Sequence, residues 1–126
     1  MREGQQPTAK ALLGKRAEEL TAAELVRRGC EIVGTNYHCR YGEIDIIAKD
    51  AGTLIFVEVR ARRYSDFMTP AESVDHRKQS KLILTAQHYL SSNGLDVDCR
   101  FDVAEVRFER GKSVSVEIIE GAFGES

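Results

Sequence analysis

The sequence predicts an α/β fold: a central mixed β-sheet of about five strands flanked by helices, in the order α-β-β-β-α-β-β. Three observations predict it. Two stretches, Thr8 to Arg28 and Val74 to Ser92, are long enough for helices and contain no proline. Five shorter runs are rich in β-branched and aromatic residues and are set apart by glycine-bearing turns. The chain has 126 residues, 42% of them hydrophobic, which suffices for one domain with one core and no disulfide or metal staple.

The first helix is rich in Ala, Leu, Glu, Lys and Arg, and Gly29 supplies its stop. Its apolar residues spread around the wheel. Gly14, Glu18, Ala22 and Leu25 nevertheless share one face, which sets Glu18 among small and apolar neighbours. Strands are expected over Cys30 to Tyr37, Glu43 to Ala48 and Thr53 to Arg60. A polar stretch ending at Gly42 divides the first two, and Lys49-Asp50-Ala51-Gly52 turns the last two into a tight antiparallel hairpin. Leu54-Ile55-Phe56-Val57 is apolar on both faces, the pattern of a mid-sheet strand covered on two sides.

A loop over Tyr64 to Pro70 leads into the second helix, where Leu82, Ala86 and Tyr89 recur at i, i+4 and i+7 and Asn93-Gly94 ends the pattern. Arg77, Ser80, Lys81 and His88 fall on its solvent side. The last strands, Arg100 to Phe108 and Ser113 to Ile119, flank the turn Glu109-Arg110-Gly111-Lys112. There is no internal repeat, low-complexity tract or interdomain linker.

Several function classes are disfavoured. No apolar run reaches the ~18 residues that span a bilayer, and Met1 to Lys10 is polar, so a cytoplasmic protein without a membrane partner is expected. Cys30, Cys39 and Cys99 are odd in number and widely spaced, which gives neither a disulfide framework nor a zinc half-site. His38 and Cys39, adjacent on a strand, point to opposite faces and cannot share a metal. The net charge of −2 does not advertise nucleic-acid binding, but its distribution is uneven. Residues 1–93 carry 14 Lys and Arg against 12 Asp and Glu, and residues 94–126 carry 4 against 8. The basic residues bunch as Arg60, Arg62, Arg63 and as His76, Arg77, Lys78, Lys81.

Two acids carry the chemistry. Asp45 interrupts Ile44-Asp45-Ile46-Ile47 and Glu58 interrupts Phe56-Val57-Glu58-Val59. A carboxylate inside an apolar strand needs a cation, a set of hydrogen bonds or a metal. The hairpin brings positions 45 and 58 together, within ~5 Å if directly opposite on one face. Two like charges that close repel, and a divalent ion reconciles them. Period two puts Arg60 on the face of Glu58, so the surface reads Asp, then Glu-x-Arg. Such a hard, oxygen-rich site suits Mg²⁺ or Mn²⁺, which polarise phosphoryl groups and acidify water. The alternative is structural: both acids paired to Arg60, Arg62 or the second-helix lysines. Taken alone, Glu18, Lys78 and Gln79 read as ordinary surface groups.

These residues resemble the PD-(D/E)xK nuclease superfamily, and more closely the bacterial YraN-like family, whose members resemble archaeal Holliday-junction resolvases. The resemblance rests on Gly14-x-x-x-Glu18, Asn36, Gly42-Glu43-Ile44-Asp45, Phe56-Val57-Glu58-Val59-Arg60-x-Arg62, Lys78-Gln79 and Arg100-Phe101-Asp102-Val103. It implies a restriction-endonuclease-like fold. It also implies a metal held by Asp45, Glu58 and the Val59 carbonyl, with Glu18 completing the site, Gln79 auxiliary and Lys78 on phosphate. The sequence departs from the family at Arg60, where lysine is usual; a guanidinium keeps its charge and presents a fork rather than a point.

The expected function is therefore a Mg²⁺- or Mn²⁺-dependent endonuclease acting on DNA, either selective for branched or junction structures or weakly specific. Asp45, Glu58, Arg60, Glu18 and Gln79 are its catalytic candidates, and Arg60, Arg62, Arg63 and Lys78 its nucleic-acid contacts. The resemblance to resolvases implies pairing as a homodimer. Two alternatives stay open: a non-catalytic nucleic-acid-binding module that keeps the nuclease fold, and an interaction domain that binds neither DNA nor metal.

Overall fold

Thr8 opens the first helix: its backbone is extended and its side-chain oxygen accepts the Ala11 N–H at 3.0 Å. The computed structural model describes residues 6–63, 74–109 and 114–124. Its elements are α1 (Ala9–Arg27), β1 (Glu31–Cys39), β2 (Gly42–Asp50), β3 (Thr53–Arg63), α2 (His76–Ser92), β4 (Asp98–Phe108) and β5 (Val114–Phe123). This is the predicted order. The predicted loop over Tyr64 to Pro70, the turn residues 110–112 and Ser113 lie outside the described residues.

The five strands lie side by side in chain order. Neighbours run antiparallel except β3 and β4, which are parallel and are joined through α2. α2 starts at His76 because Asp75 caps it, accepting the Lys78 N–H at 2.9 Å, two residues later than the apolar pattern alone suggests. Val74, just before the cap, is buried against the core.

β3 divides two cores, as its doubly apolar sequence predicts. Leu54 and Phe56 pack with Leu82 and Ala86 of α2, while Ile55 and Val57 pack with Leu25 of α1. The inward line of α1 is Ala17, Thr21 and Leu25, so Glu18 and Ala22 are half-buried at its flank rather than at its centre. His88 corrects the solvent-side expectation: it is half-buried, and its Nδ1 lies 2.6 Å from the Tyr37 hydroxyl. No disulfide joins Cys30, Cys39 and Cys99.

One irregularity shapes the site. Residues two apart on a regular strand share a face, yet Ile44 packs into the α2-side core and Ile46 into the α1-side core. β2 thus reverses its faces across Asp45. β1 matches it: Tyr37 pairs with Ile44 and packs on the α2 side, Thr35 pairs with Ile46, and Asn36 between them has φ +52°. The left-handed residue turns the strand, a conformation asparagine tolerates better than most side chains.

Candidate active site

The pairing of β2 with β3 runs from Asp50 and Thr53 to Ile46 and Val57 and stops there. β3 continues to Arg63 on the β4 side. At the point of separation the Asp45 Oδ2 accepts the Val59 N–H at 2.8 Å. A side chain replaces the backbone partner that β2 no longer offers, and the reversal at Asp45 turns it towards β3. The two acids therefore meet, though not as the regular cross-strand pair the hairpin pattern suggests.

The Asp45 carboxyl is pushed up to about 8, first by burial, then by its hydrogen bond with Glu58 and by the Glu58 charge. The Val59 N–H opposes that rise and the Glu18 charge adds to it. Glu58 is 6% exposed and has cations at hand: Lys78 Nζ is in direct ion contact with Oε2, and an Arg60 nitrogen stands at 3.9 Å. The structural alternative thus holds for Glu58. Among the described residues, Asp45 is met by the Val59 amide and by the Glu58 carboxyl.

Glu18 reaches the same region from α1. Burial raises its pKa, the Asn36 amide pulls it back by donating a hydrogen bond at 3.2 Å, and the Glu43 and Glu58 charges push it up again. Gly42, Glu43, Asp45, Glu58, Lys78 and Lys81 line a cleft of about 210 Å³. A larger groove of about 520 Å³ lies elsewhere, between α2 and the Cys99–Phe101 end of β4, and contains no carboxylate.

The other candidates separate. The Gln79 amide donates to the Val74 carbonyl at 2.8 Å, holding the start of α2 rather than meeting the acids. Arg62 is half-buried, with its Nε 3.9 Å from Glu105, and Arg63 is exposed at the end of β3. Glu105, fully buried and also in ion contact with Arg107, was not singled out from the sequence. The signal was there: Glu105 interrupts Val103-Ala104-Glu105-Val106 just as Glu58 interrupts its own strand. Asn36, quoted only as part of a motif, proves to hold Glu18.

Two touching carboxyls, one with a strongly raised pKa, fit a hard divalent ion as oxygen ligands, because such an ion replaces the proton that otherwise relieves their repulsion. Among the described residues no three His, Cys, Asp or Glu side chains already stand in a metal-holding group. Glu43 lines the same cleft, and Glu18, whose charge adds to the rise at Asp45, is held by the Asn36 amide. Among the same residues no helix is long and apolar enough to cross a membrane.

The pattern of the family described as "Uncharacterised protein family UPF0102" matches residues 17–106. A UPF0102 protein of Pelotomaculum thermopropionicum is 43% identical over 117 residues, covering 91% of this chain and 98% of its own. One from Moorella thermoacetica is 46% identical over 112 residues, covering 87% and 93%. Among solved structures, that of Pyrococcus furiosus SfsA in complex with Ca²⁺ aligns at 15% identity and a TM-score of 0.36, over 86% of this chain and 62% of that one. A likeness at that level supports no inference about this chain.

Proposed function

Taking as premise that this chain belongs to the UPF0102 family, we propose that it is a divalent-metal-dependent endonuclease of the PD-(D/E)xK kind, hydrolysing DNA phosphodiesters in branched or junction structures. The observation that carries the reading is that Asp45 and Glu58 line one cleft where β2 leaves β3. Asp45 and Glu58 would hold Mg²⁺ or Mn²⁺, and Glu18 would join them on release from Asn36. When bound, the ion supplies Lewis-acid polarisation of a phosphoryl oxygen and a more acidic water.

The chain's own residues do the rest. The Val59 amide holds Asp45 in place, so that ligand needs little reordering on binding. Arg60, beside Glu58, supplies a fixed charge that clamps a phosphate oxygen and offsets negative charge as the bond breaks. Lys78 holds Glu58 in an ion contact, and with that carboxylate engaged by a metal it would serve a phosphate instead. Two copies of the site on a homodimer would reach both strands of a junction.

The test is incubation with branched, flapped and single-stranded DNA over a range of Mg²⁺ and Mn²⁺ concentrations. Cleavage by the wild type that disappears in Asp45→Ala and Glu58→Gln supports the reading. No cleavage on any substrate, or cleavage that survives Asp45→Ala, removes it. The ion contact of Lys78 with Glu58 favours a second reading, a nucleic-acid-binding module with this fold and no catalysis. That module retains DNA equally with and without chelator, and Arg60→Lys restores no cleavage to it.

A further inference from the structure

Beyond the carboxylate pair, we infer that the groove between α1 and the freed edge of β3 is a binding track for the sugar-phosphate backbone of a nucleic-acid strand. Lys10 and Gly14 belong to it. The inference deepens the proposed nuclease reading and rests on it for the identity of the strand.

The groove begins where the acids end. Val59, whose amide holds Asp45, also lines it, together with Arg60, Ala61 and Arg62 from β3 and Lys10, Leu13 and Gly14 from α1. Its volume is about 360 Å³. β2 pairs with β3 no further than Val57, so no β2 strand covers the Val59–Ala61 edge. Among the described residues, three cationic ones line the groove and no acidic one does. Glu105, the counter-ion of Arg62, is fully buried and also meets Arg107, so it offers a ligand no negative surface.

Its shape suits a chain rather than a lone ion. A β-carbon built on Gly14 meets nothing within 4 Å, so the helix leaves open space at that point. Lys78 and Lys81 share a cleft with Glu43 and the two acids, and Lys10, Arg60 and Arg62 line the groove that includes Val59, whose amide holds Asp45. A strand occupying both brings its phosphates near Asp45, because Val59 belongs to the groove and bonds that acid. Contacts of this kind are read as salt-dependent affinity without base preference.

The experiment uses fluorescence anisotropy of a labelled branched DNA in Ca²⁺, with calorimetric Ca²⁺ uptake measured on the same proteins. Gly14→Leu fills the groove without changing charge, at a helical site with room for it and with better helix propensity than glycine. Lys10→Glu reverses charge at an exposed position outside the core. Each is expected to weaken DNA binding about tenfold and to leave Ca²⁺ uptake within about twofold of wild type. Unchanged DNA affinity in Gly14→Leu overturns the inference whatever the wild type cleaves, and so does a loss confined to Lys10→Glu. Should the wild type take up no Ca²⁺, the nuclease reading fails, while a Gly14→Leu defect measured in chelator still supports the track. Inorganic phosphate displacing the DNA as effectively as an unlabelled strand would overturn the strand in favour of a small-anion site.

Discussion

The Asp45 carboxylate accepts the Val59 N–H at 2.8 Å just beyond the last paired residues of β2 and β3, Ile46 and Val57. A side chain thus ends a β-ladder, and the acid that ends it touches Glu58. The separation of the strands and the assembly of the carboxylate pair are the same structural event.

The first prediction concerns pH. Asp45, ordinarily near 3.8, is pushed up to about 8, so the folded chain keeps a proton that the unfolded chain releases between those values. A raised acid pKa costs stability once the unfolded form is ionised, so stability should fall as pH climbs from about 4 to about 8 and level off above. Asp45→Asn should flatten that decline in urea unfolding at successive pH values. Glu24 acts in the opposite sense at the acid end: the hydrogen bonds of Arg27 and then Arg28 lower it from 4.5 to about 2, and its contribution is lost as pH falls through that range. Identical wild-type and Asp45→Asn profiles above pH 5 would contradict a shared proton.

Lys78 and a divalent ion should be interchangeable partners of Glu58. Lys78 is 42% exposed, so Lys78→Met should cost only about 1–2 kcal/mol despite the burial of Glu58. Millimolar Ca²⁺ or Mn²⁺ should recover that loss in thermal melts by binding the folded state. A deficit indifferent to either ion argues against Glu58 as a ligand.

Glu105 should matter for stability more than its absence from the site suggests. Glu105→Gln leaves Arg62 and Arg107 without their buried counter-charge and should cost about 3–5 kcal/mol in chemical denaturation. A cost under about 1 kcal/mol would mean that both guanidiniums find other partners.

Gly42 sets the approach of the β1–β2 turn to α2. A β-carbon there would stand 3.1 Å from Thr85 Oγ1, on a fully buried side chain already donating to the Lys81 carbonyl. Gly42→Ala should therefore cost about 1–3 kcal/mol, and Thr85→Ala in the same chain should make the pair less than additive. Strict additivity would place the strain elsewhere.

Much of this was legible in the chain. The helix over Thr8 to Arg28 was visible because its propensity and glycine stop are local, and β3 because Leu54-Ile55-Phe56-Val57 is apolar on both faces. Asp45 and Glu58 stood out because a charge within an apolar strand demands a partner, whatever the fold. His88 and Glu105 were missed for one reason: the value of a polar group depends on what faces it from another element. For His88 that is Tyr37, fifty-one positions away; for Glu105 it is Arg62 and Arg107.

The sequence by itself determined the elements, their order, the buried strand and the two acids that its core could not absorb alone. Only the tertiary structure decided how those acids meet, because the reversal of β2 between Ile44 and Ile46 depends on which core each isoleucine joins. Periodicity along a chain cannot express that choice. It is made where Asn36 turns β1, where Asp45 takes the Val59 amide, and where two packed layers pull neighbouring residues to opposite sides.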